Sequence, residues 1–588
     1  MPLRDTPWRW LLPLLALAAC ATSRTGGPSS APAEVERLAR FEVDFELPGS
    51  TRHPDDVSIE ARFTAPSGQQ VTVGGFALAE GGFRVRFTPR ETGEYQYAVK
   101  ADGGSGPREV ASGRFRVRPS DRRGFVRRSA ASAHQLSWEE GTPFFPLGEN
   151  RFNIYDASWN YNQFPAPEYV AYMARNGMNT LRIFIFTDCE REEPEPGPQP
   201  GCLEPQVGRF DAQVAAQYDA ILEAAERHGI YVIFTLFAVG FTPGETWKSW
   251  EDNPYSTARG GPAATPEEFF EREDIRKAAE RKLRYVLDRY GYSPHFLAVD
   301  LLNEPEWDGN NGEESWVPWG EHMAAVWHAA DPYGHLVTMG SVGLHWNVNG
   351  DERPWYAHPG NDLLQWHLYG KEYYEVHALA AEFSRKIAET WGYDKPILCG
   401  EFGYGGDDPQ TFDHTHVGIW SATFSGAGVL AHSAPPFTPD SDVLMTPERG
   451  HHFRVLSDFL SRLSTSPPLL PRPAPSATPE GTRVWALGRP GYQALWVMGA
   501  RDGYGSRVEG ATVRLEGATG CHRVTWWDDV TGEQLHTEES WAKPDGLLLR
   551  VPGFVRHVAG LVEALPGMSG DVQDATRCPA ERLPGERR

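Results

Sequence analysis

The run Ala298-Val-Asp-Leu-Leu-Asn303-Glu304-Pro305 reads as the end of a buried strand over 296–302 that delivers polar groups at its carboxyl terminus. About a hundred residues later, Pro396-Ile-Leu-Cys-Gly400-Glu401-Phe402-Gly403 repeats the pattern with a second glutamate. A carboxylate at the end of an apolar strand is costly unless something nearby uses its charge. Glu304 and Glu401 therefore form a candidate pair of acid/base and nucleophile.

Working outward, strands are expected at 144–148, 180–186, 231–237, 296–302, 336–341, 363–368, 397–400 and 428–431. Helical patterns lie between them, as in 211–228 and 267–290, where Ile275, Ala279, Leu283, Val286 and Tyr290 recur at helix spacing. Eight β/α alternations predict a closed parallel (β/α)8 TIM barrel rather than an open doubly wound sheet, and the absence of a glycine-rich phosphate fingerprint agrees. In such a barrel all strand carboxyl ends face one mouth. Arg182 falls within the second strand, Asn303 and Glu304 end the fourth, His367 and Tyr369 end the sixth, and Glu401 follows the seventh. Singly, Arg182 reads equally well as a structural ion pair and His367 as a hydrogen-bonded core imidazole. As a set they mark a catalytic mouth.

The flanks have another rhythm. From 34 to 118 apolar residues alternate with period two (Val57, Ile59, Ala61, Phe63; Phe83, Val85, Phe87; Tyr95, Tyr97, Val99; Phe115, Val117), which predicts a small antiparallel β-sandwich. Strand-like runs at 493–497, 511–515, 522–527 and 547–551 predict a second one. Trp526 and Trp527 should point to opposite faces there, so at most one is placed to stack on a ligand. The prolines of 466–475 predict a stiff linker without regular structure. The expected organisation is multidomain: 1–20 signal peptide, 21–33 flexible tether, 34–122 N-terminal β-sandwich, 123–465 barrel, 466–478 linker, 479–565 C-terminal β-sandwich and 566–588 tail.

Arg4 and Arg9 precede a short apolar run ending Leu17-Ala18-Ala19-Cys20, which reads as a cleaved export signal; it resembles the lipobox of bacterial lipoproteins and so implies a lipid on Cys20. Export permits disulfides. Cys189 and Cys202 bracket a Pro- and Glu-rich loop and are expected to pair; Cys521 and Cys578 are open to the same reading, and Cys399 is read as a small buried hydrophobe. At 588 residues the chain is expected to hold several domains. The formal charge of −23 argues against a nucleic-acid partner. His414-Thr-His416 and His451-His452 lack acidic or cysteine partners at a metal-binding spacing and are read as surface residues, so no metal is expected.

Asn303-Glu304-Pro305, His367-Leu-Tyr369, Gly400-Glu401-Phe402-Gly403 and Asn179-Thr-Leu-Arg182, in that context, resemble the clan A glycoside hydrolases, most closely family 5, the cellulase and mannanase group. The resemblance spans about 140–465 and implies Glu304 as acid/base, Glu401 as nucleophile, Asn303 on a sugar 2-hydroxyl, Tyr369 holding the nucleophile and Arg182 beneath it. His367, Asn150 and Trp307 join Arg182, Asn303 and Tyr369 as the expected substrate-binding set. The expected reaction is retaining hydrolysis of a β-glycosidic bond in a poly- or oligosaccharide, with no cofactor, by a monomer anchored in the bacterial envelope through its lipid alone. The N-terminal unit resembles the immunoglobulin-like module that precedes many such barrels. Two departures stand out: Thr235-Leu-Phe237-Ala-Val lacks a histidine found in many members, and the eighth strand ends Ala431-His432-Ser433 in place of the usual tryptophan. Trp159, Trp247, Trp307 and Trp346 are candidate stacking platforms. A sugar-binding lipoprotein with a degenerate barrel, or a structural envelope protein, would have no need to keep Glu304, Glu401, Asn303 and Tyr369 together.

Overall fold

The structure is a computed structural model, and it describes residues 30–151, 166–185, 202–237, 250–307, 312–342, 351–403, 411–432, 446–565 and 578. Its centre is a parallel eight-stranded barrel: β1 (Leu147–Arg151), β2 (Thr180–Phe184), β3 (Tyr231–Phe237), β4 (Phe296–Asn303), β5 (Leu336–Gly340), β6 (Leu364–Leu368), β7 (Ile397–Phe402) and β8 (Gly428–His432). Neighbours pair in sequence order, β1 also pairs with β8, and the seam between β5 and β6 is bridged at Ser341 and Trp366. Every residue of all eight strands is buried, as parallel strands covered by helices require.

The covering helices include α1 (Ala166–Arg175), α2 (Ala212–His228), α3 (Glu273–Tyr290), α4 (Glu313–Ala330), α5 (Val376–Thr390), α6 (Asp413–Phe424) and α7 (Pro447–Ser461). The end signals are local. Asp211 accepts from the backbone of Gln213 and Val214 to cap α2, which stops at Gly229 in the left-handed conformation; Glu375 caps α5 and Thr446 caps α7.

Strand one differs from its prediction. Phe144 ends a three-stranded sheet (Val126–Arg128, Leu136–Trp138, Pro143–Phe144) whose Val126, Leu136 and Phe144 pack with Ile233, Ala298, Leu336, Leu398 and Leu430 as one core cluster. The barrel strand starts three residues later, at Leu147. After Leu147 it runs Gly148-Glu149-Asn150-Arg151, with three polar side chains, so apolar periodicity ran out before the strand did. Glu149 is fully buried, yet paired with Arg449 of α7 and Tyr169 of α1.

N-terminal to the barrel, a five-stranded sheet and a three-stranded sheet share one cluster that includes Phe41, Phe63, Phe87, Tyr95 and Phe115. Arg86 leaves this unit for the barrel: it meets Asp219 of α2 at 2.5 Å, and Asp219 also holds Arg289 of α3 at 2.6 Å.

After the barrel comes a six-stranded sheet with a three-stranded partner. The proline-rich segment contributes to both, contrary to the linker prediction: Leu470–Arg472 pairs with Arg483–Arg489, and Ser476–Thr478 pairs with Thr512–Leu515. Leu470–Arg472 is the sheet's edge, where Pro471 has no neighbour on its outer side to which a missing N–H would matter. Trp526 and Trp527 do face opposite ways, but both are buried, Trp526 in this unit's own core and Trp527 in the barrel's, so neither offers a face to a ligand. Cys521 and Cys578 form a disulfide with Cα atoms 5.6 Å apart. Among the described residues no helix is long and apolar enough to cross a membrane.

Candidate active site

The mouth is organised from beneath by Arg182 of β2, which is fully buried. Its Nε donates to Asp300 Oδ2 at 2.8 Å, Nη1 donates to Asn150 Oδ1 at 2.9 Å and to Glu401 Oε1 at 2.5 Å, and Nη2 donates to Asn303 Oδ1 at 2.7 Å. Burial alone would disfavour the guanidinium's charge, but Asp300 and Glu401 outweigh it and hold the pKa above its ordinary value.

Asp300 was not singled out from the sequence, because one acid between Val299 and Leu301 in an apolar strand carries no end-of-strand signal. It is the hub of the floor, accepting also from Thr235 Oγ1 at 2.9 Å, Gln365 Nε2 at 3.1 Å and the Gly340 amide at 3.0 Å. Gly340 is required here: a Cβ would stand 2.8 Å from Gln365 Nε2, 3.0 Å from His367 Nε2 and 3.1 Å from Arg182 Nη2.

Glu401 lies within β7 and is 3 % exposed. One carboxylate oxygen accepts from Arg182 and the other from the Tyr369 hydroxyl at 2.7 Å. Burial and then the charge of Glu401 push the Tyr369 pKa well up, so this phenol remains a donor. Glu304 stands one residue beyond β4 with φ of 49°, a left-handed conformation rare for a side chain of this size, and its amide donates to Gly340 O at 2.8 Å. The β4–β5 register shifts between Asp300 and Asn303, which aims Asn303 and Glu304 at the mouth.

His367 connects the two acids. Its Nδ1 is 2.5 Å from Glu304 Oε1 and its Nε2 is 3.8 Å from Glu401 Oε1. Burial pushes its pKa down to about 4, so the imidazole is neutral at ordinary pH. Oxygens of Glu304 and Glu401 and a His367 nitrogen all lie within 4.8 Å of one another. A metal held by this trio would compete with bonds that the three groups already make to each other and to Arg182 and Tyr369.

Asn150, expected among the substrate-binding residues, is fully buried beside Arg182. Because Arg182 can only donate, the Asn150 oxygen must face it, and Nδ2 then donates to His432 Nδ1 at 2.8 Å. That fixes the His432 proton on Nε2, and burial lowers the pKa of His432 to about 3. His432, at the end of β8, thus sits 3.8 Å from Glu401 Oε2 as a neutral imidazole.

Trp307 lies in a short turn after Glu304, with its side chain outside the described residues; Trp159, Trp247, Trp346, Cys20 and Cys189 lie outside them altogether. Cys202 is disulfide-bonded. Cys399 is buried and its thiol pKa is pushed up by burial, as for an inert core residue. His414, His416 and His452 are buried, not on the surface: His416 and His452 because α6 and α7 are covered by the C-terminal unit, and His414 because it turns into the barrel, with Nε2 at 3.0 Å from Tyr373 O. His416, Asp529 and His557 come within 4.8 Å of one another, but the two rings stack in parallel at 4.1 Å, so their lone pairs do not converge on one ion.

Residues 139–428 match the model of the cellulase family, glycosyl hydrolase family 5. The match covers just under half of the chain, and it likens this segment, which holds most of the barrel, to a glycosyl hydrolase domain. Residues 34–102 match a domain of unknown function (DUF5060). A mannan endo-1,4-beta-mannosidase F of Aspergillus clavatus is 26 % identical over 216 residues, covering 32 % of this chain and 44 % of the relative. Mannan endo-1,4-beta-mannosidase 8 of Oryza sativa subsp. japonica is 24 % identical over 346 residues, 50 % of this chain and 87 % of the relative. The chain spans about half the length of the Aspergillus mannosidase F proteins it matches. Among solved structures, a glycoside hydrolase family 5 from Bacteroides vulgatus shares the fold at TM-score 0.52 and 13 % identity, covering 75 % of this chain and 94 % of that one. Another structure from the same species reaches TM-score 0.63 at 17 % identity, covering 91 % and 100 %.

Proposed function

We propose that the protein is a retaining glycoside hydrolase that cleaves β-glycosidic bonds of a poly- or oligosaccharide by double displacement. The observation that carries this reading is the spacing of Glu304 and Glu401, whose oxygens come within 4.8 Å. Retaining enzymes hold their two carboxyl groups about 5–5.5 Å apart, whereas inverting ones need about 6.5–9.5 Å to admit a water. Glu401, held by Arg182 and Tyr369, attacks the anomeric carbon while Glu304 protonates the departing oxygen. Once the glycosyl ester forms, Glu304 takes a proton from water, which attacks the same carbon and frees Glu401. His367 is the neutral neighbour through which Glu304 is oriented, and Asn303, its oxygen fixed by Arg182, offers Nδ2 to a sugar hydroxyl. The names of the relatives put β-1,4-mannan first among substrates to test.

A panel of β-linked mannans, glucans, xylans and galactans assayed with wild type and Glu401→Gln tests the proposal. Turnover should fall at least ~10³-fold in the variant with oligosaccharide affinity nearly unchanged, since a transition-state role is lost and a ground-state contact is not. Equal activity in the two proteins would sink the nucleophile assignment.

The remaining proposals concern the flanks and the address. The units over 34–122 and 470–565 are β-sandwiches, the first immunoglobulin-like, and the protein is an exported monomer tethered to the envelope by a lipid on Cys20. Replacing Cys20 by Ser should move it from the membrane fraction to the soluble one; an unchanged distribution refutes the anchor.

A further inference from the structure

A groove of about 790 Å³ runs between α5 and the start of the C-terminal unit. Its lining brings together Ser384, Trp391, Ser425, Thr482 and Trp485, with Arg472 and Arg483 as the charged groups and no carboxylate. Trp391 precedes β7 and Ser425 precedes β8, so the groove lies at the amino ends of the strands, the rim opposite Glu304 and Glu401.

Both indoles are half-buried and fixed in place. Trp391 stacks one face on His134 at 3.8 Å, and Trp485 donates its Nε1–H to Ser384 Oγ at 2.8 Å while packing on Trp496 at 4.8 Å. Thr482 Oγ1 is buried without a hydrogen-bond partner. Two rigid, partly bare indole surfaces beside hydroxyls and guanidinium donors suit a ligand with flat apolar faces and many hydroxyl groups. The net charge of −23 opposes the approach of a polyanion although the lining itself carries two guanidiniums, and the indole faces beside hydroxyls match a neutral glycan.

We propose that this groove is a second glycan-binding site, which holds a neutral β-linked polysaccharide chain against Trp391 and Trp485, away from the catalytic mouth. The class of glycan rests on the function proposed above. The two tryptophans that the sequence offered in this unit, Trp526 and Trp527, are buried; Trp485 stands in their place.

The test uses the full chain carrying Glu401→Gln and calorimetric titration with mannohexaose and cellohexaose. Two classes of binding site are expected, one of which disappears when Ala388, an exposed position of α5 that lines the groove, is replaced by Arg. Trp485→Ala should weaken the same class at least ~10-fold. In the Glu401 background, Ala388→Arg should leave turnover of a small aryl β-glycoside unchanged and lower that of insoluble polysaccharide. A single class of site that Ala388→Arg does not affect overturns the proposal, as does an Ala388-sensitive site that takes only a peptide or a carboxylated glycan. If no β-glycan is cleaved yet the Ala388-sensitive site binds, the hydrolase reading falls and the groove stands.

Discussion

Arg182 concentrates the site's energetics in one side chain. It donates to Glu401, Asn303, Asn150 and Asp300, and two of these acceptors are buried carboxylates. Such an arrangement is a weak source of net stability when intact and an expensive one to break, because each abandoned carboxylate stays in the low-dielectric floor without a counter-charge. Arg182→Met should therefore lower unfolding free energy by about 3–5 kcal/mol, measured by urea denaturation, and also depress kcat by releasing Glu401. A variant of wild-type stability would show that the floor is neutralised by something other than this guanidinium. Glu304 and Glu401 were legible because each closes an apolar run that has no other reason to stop at a polar group, and Tyr369 because it falls at the end of the sixth strand. Asp300 was not, nor were the partners of Asn150: which groups a polar residue in a strand meets is a property of the neighbouring strands, here Arg182 of β2 and His432 of β8.

At the scale of elements, the contact between α6 and the last strand of the C-terminal unit (His557–Ala564) is ionic in an apolar setting. His557 sits between Asp529 at 2.8 Å and Asp413 of α6 at 3.3 Å, with His416 stacked on it, His452 of α7 against His416, Trp496 donating to Asp529, and Tyr504 and Arg556 nearby. Burial opposes a charge on His557, but Asp529 and Asp413 outweigh it and push the pKa up to about 9. A folded-state pKa above the ordinary value of 6.5 adds stability that is complete below pH 6.5 and is lost as pH rises through about 9. The melting temperature should thus fall between those limits, and His557→Gln should flatten that slope; an equal slope in both proteins would remove His557 from the interface's titration. The alternation of strands and helices made the barrel readable, since eight apolar runs with helical spacers admit few other closures. What escaped was anything set by contact between units: the buried state of His416 and His452, the edge strand through Pro471, and the start of β1 beyond the sheet that plugs the barrel floor.

For the whole molecule, the question is whether the parts melt as one body. The N-terminal unit meets the barrel through Arg86, 3 % exposed, which shares Asp219 with Arg289; Thr88 adds two bonds, its Oγ1 donating to Tyr292 O at 2.6 Å and its amide donating to the Tyr333 hydroxyl at 2.9 Å. Asp219 is held below the usual carboxylate range by the two guanidiniums, which outweigh its burial, and it is the carboxylate they share; Arg86 also meets Glu42 at 2.9 Å. Removing it strips the buried Arg289 of this carboxylate and leaves Arg86 to Glu42 within its own unit, a change that costs about 3–5 kcal/mol and acts on the joint, not on either core. Calorimetry of the wild type should show the N-terminal unit and barrel unfolding in one transition, because the shared network ties the loss of one to exposure of the other. Asp219→Ala should split off an earlier transition with a heat appropriate to a unit of this size, while kcat at temperatures below it stays close to wild type, since Asp219 lies on α2, outside the barrel mouth. A single transition with an unshifted midpoint in the variant would mean that the apolar contacts, and not this shared carboxylate, join the two.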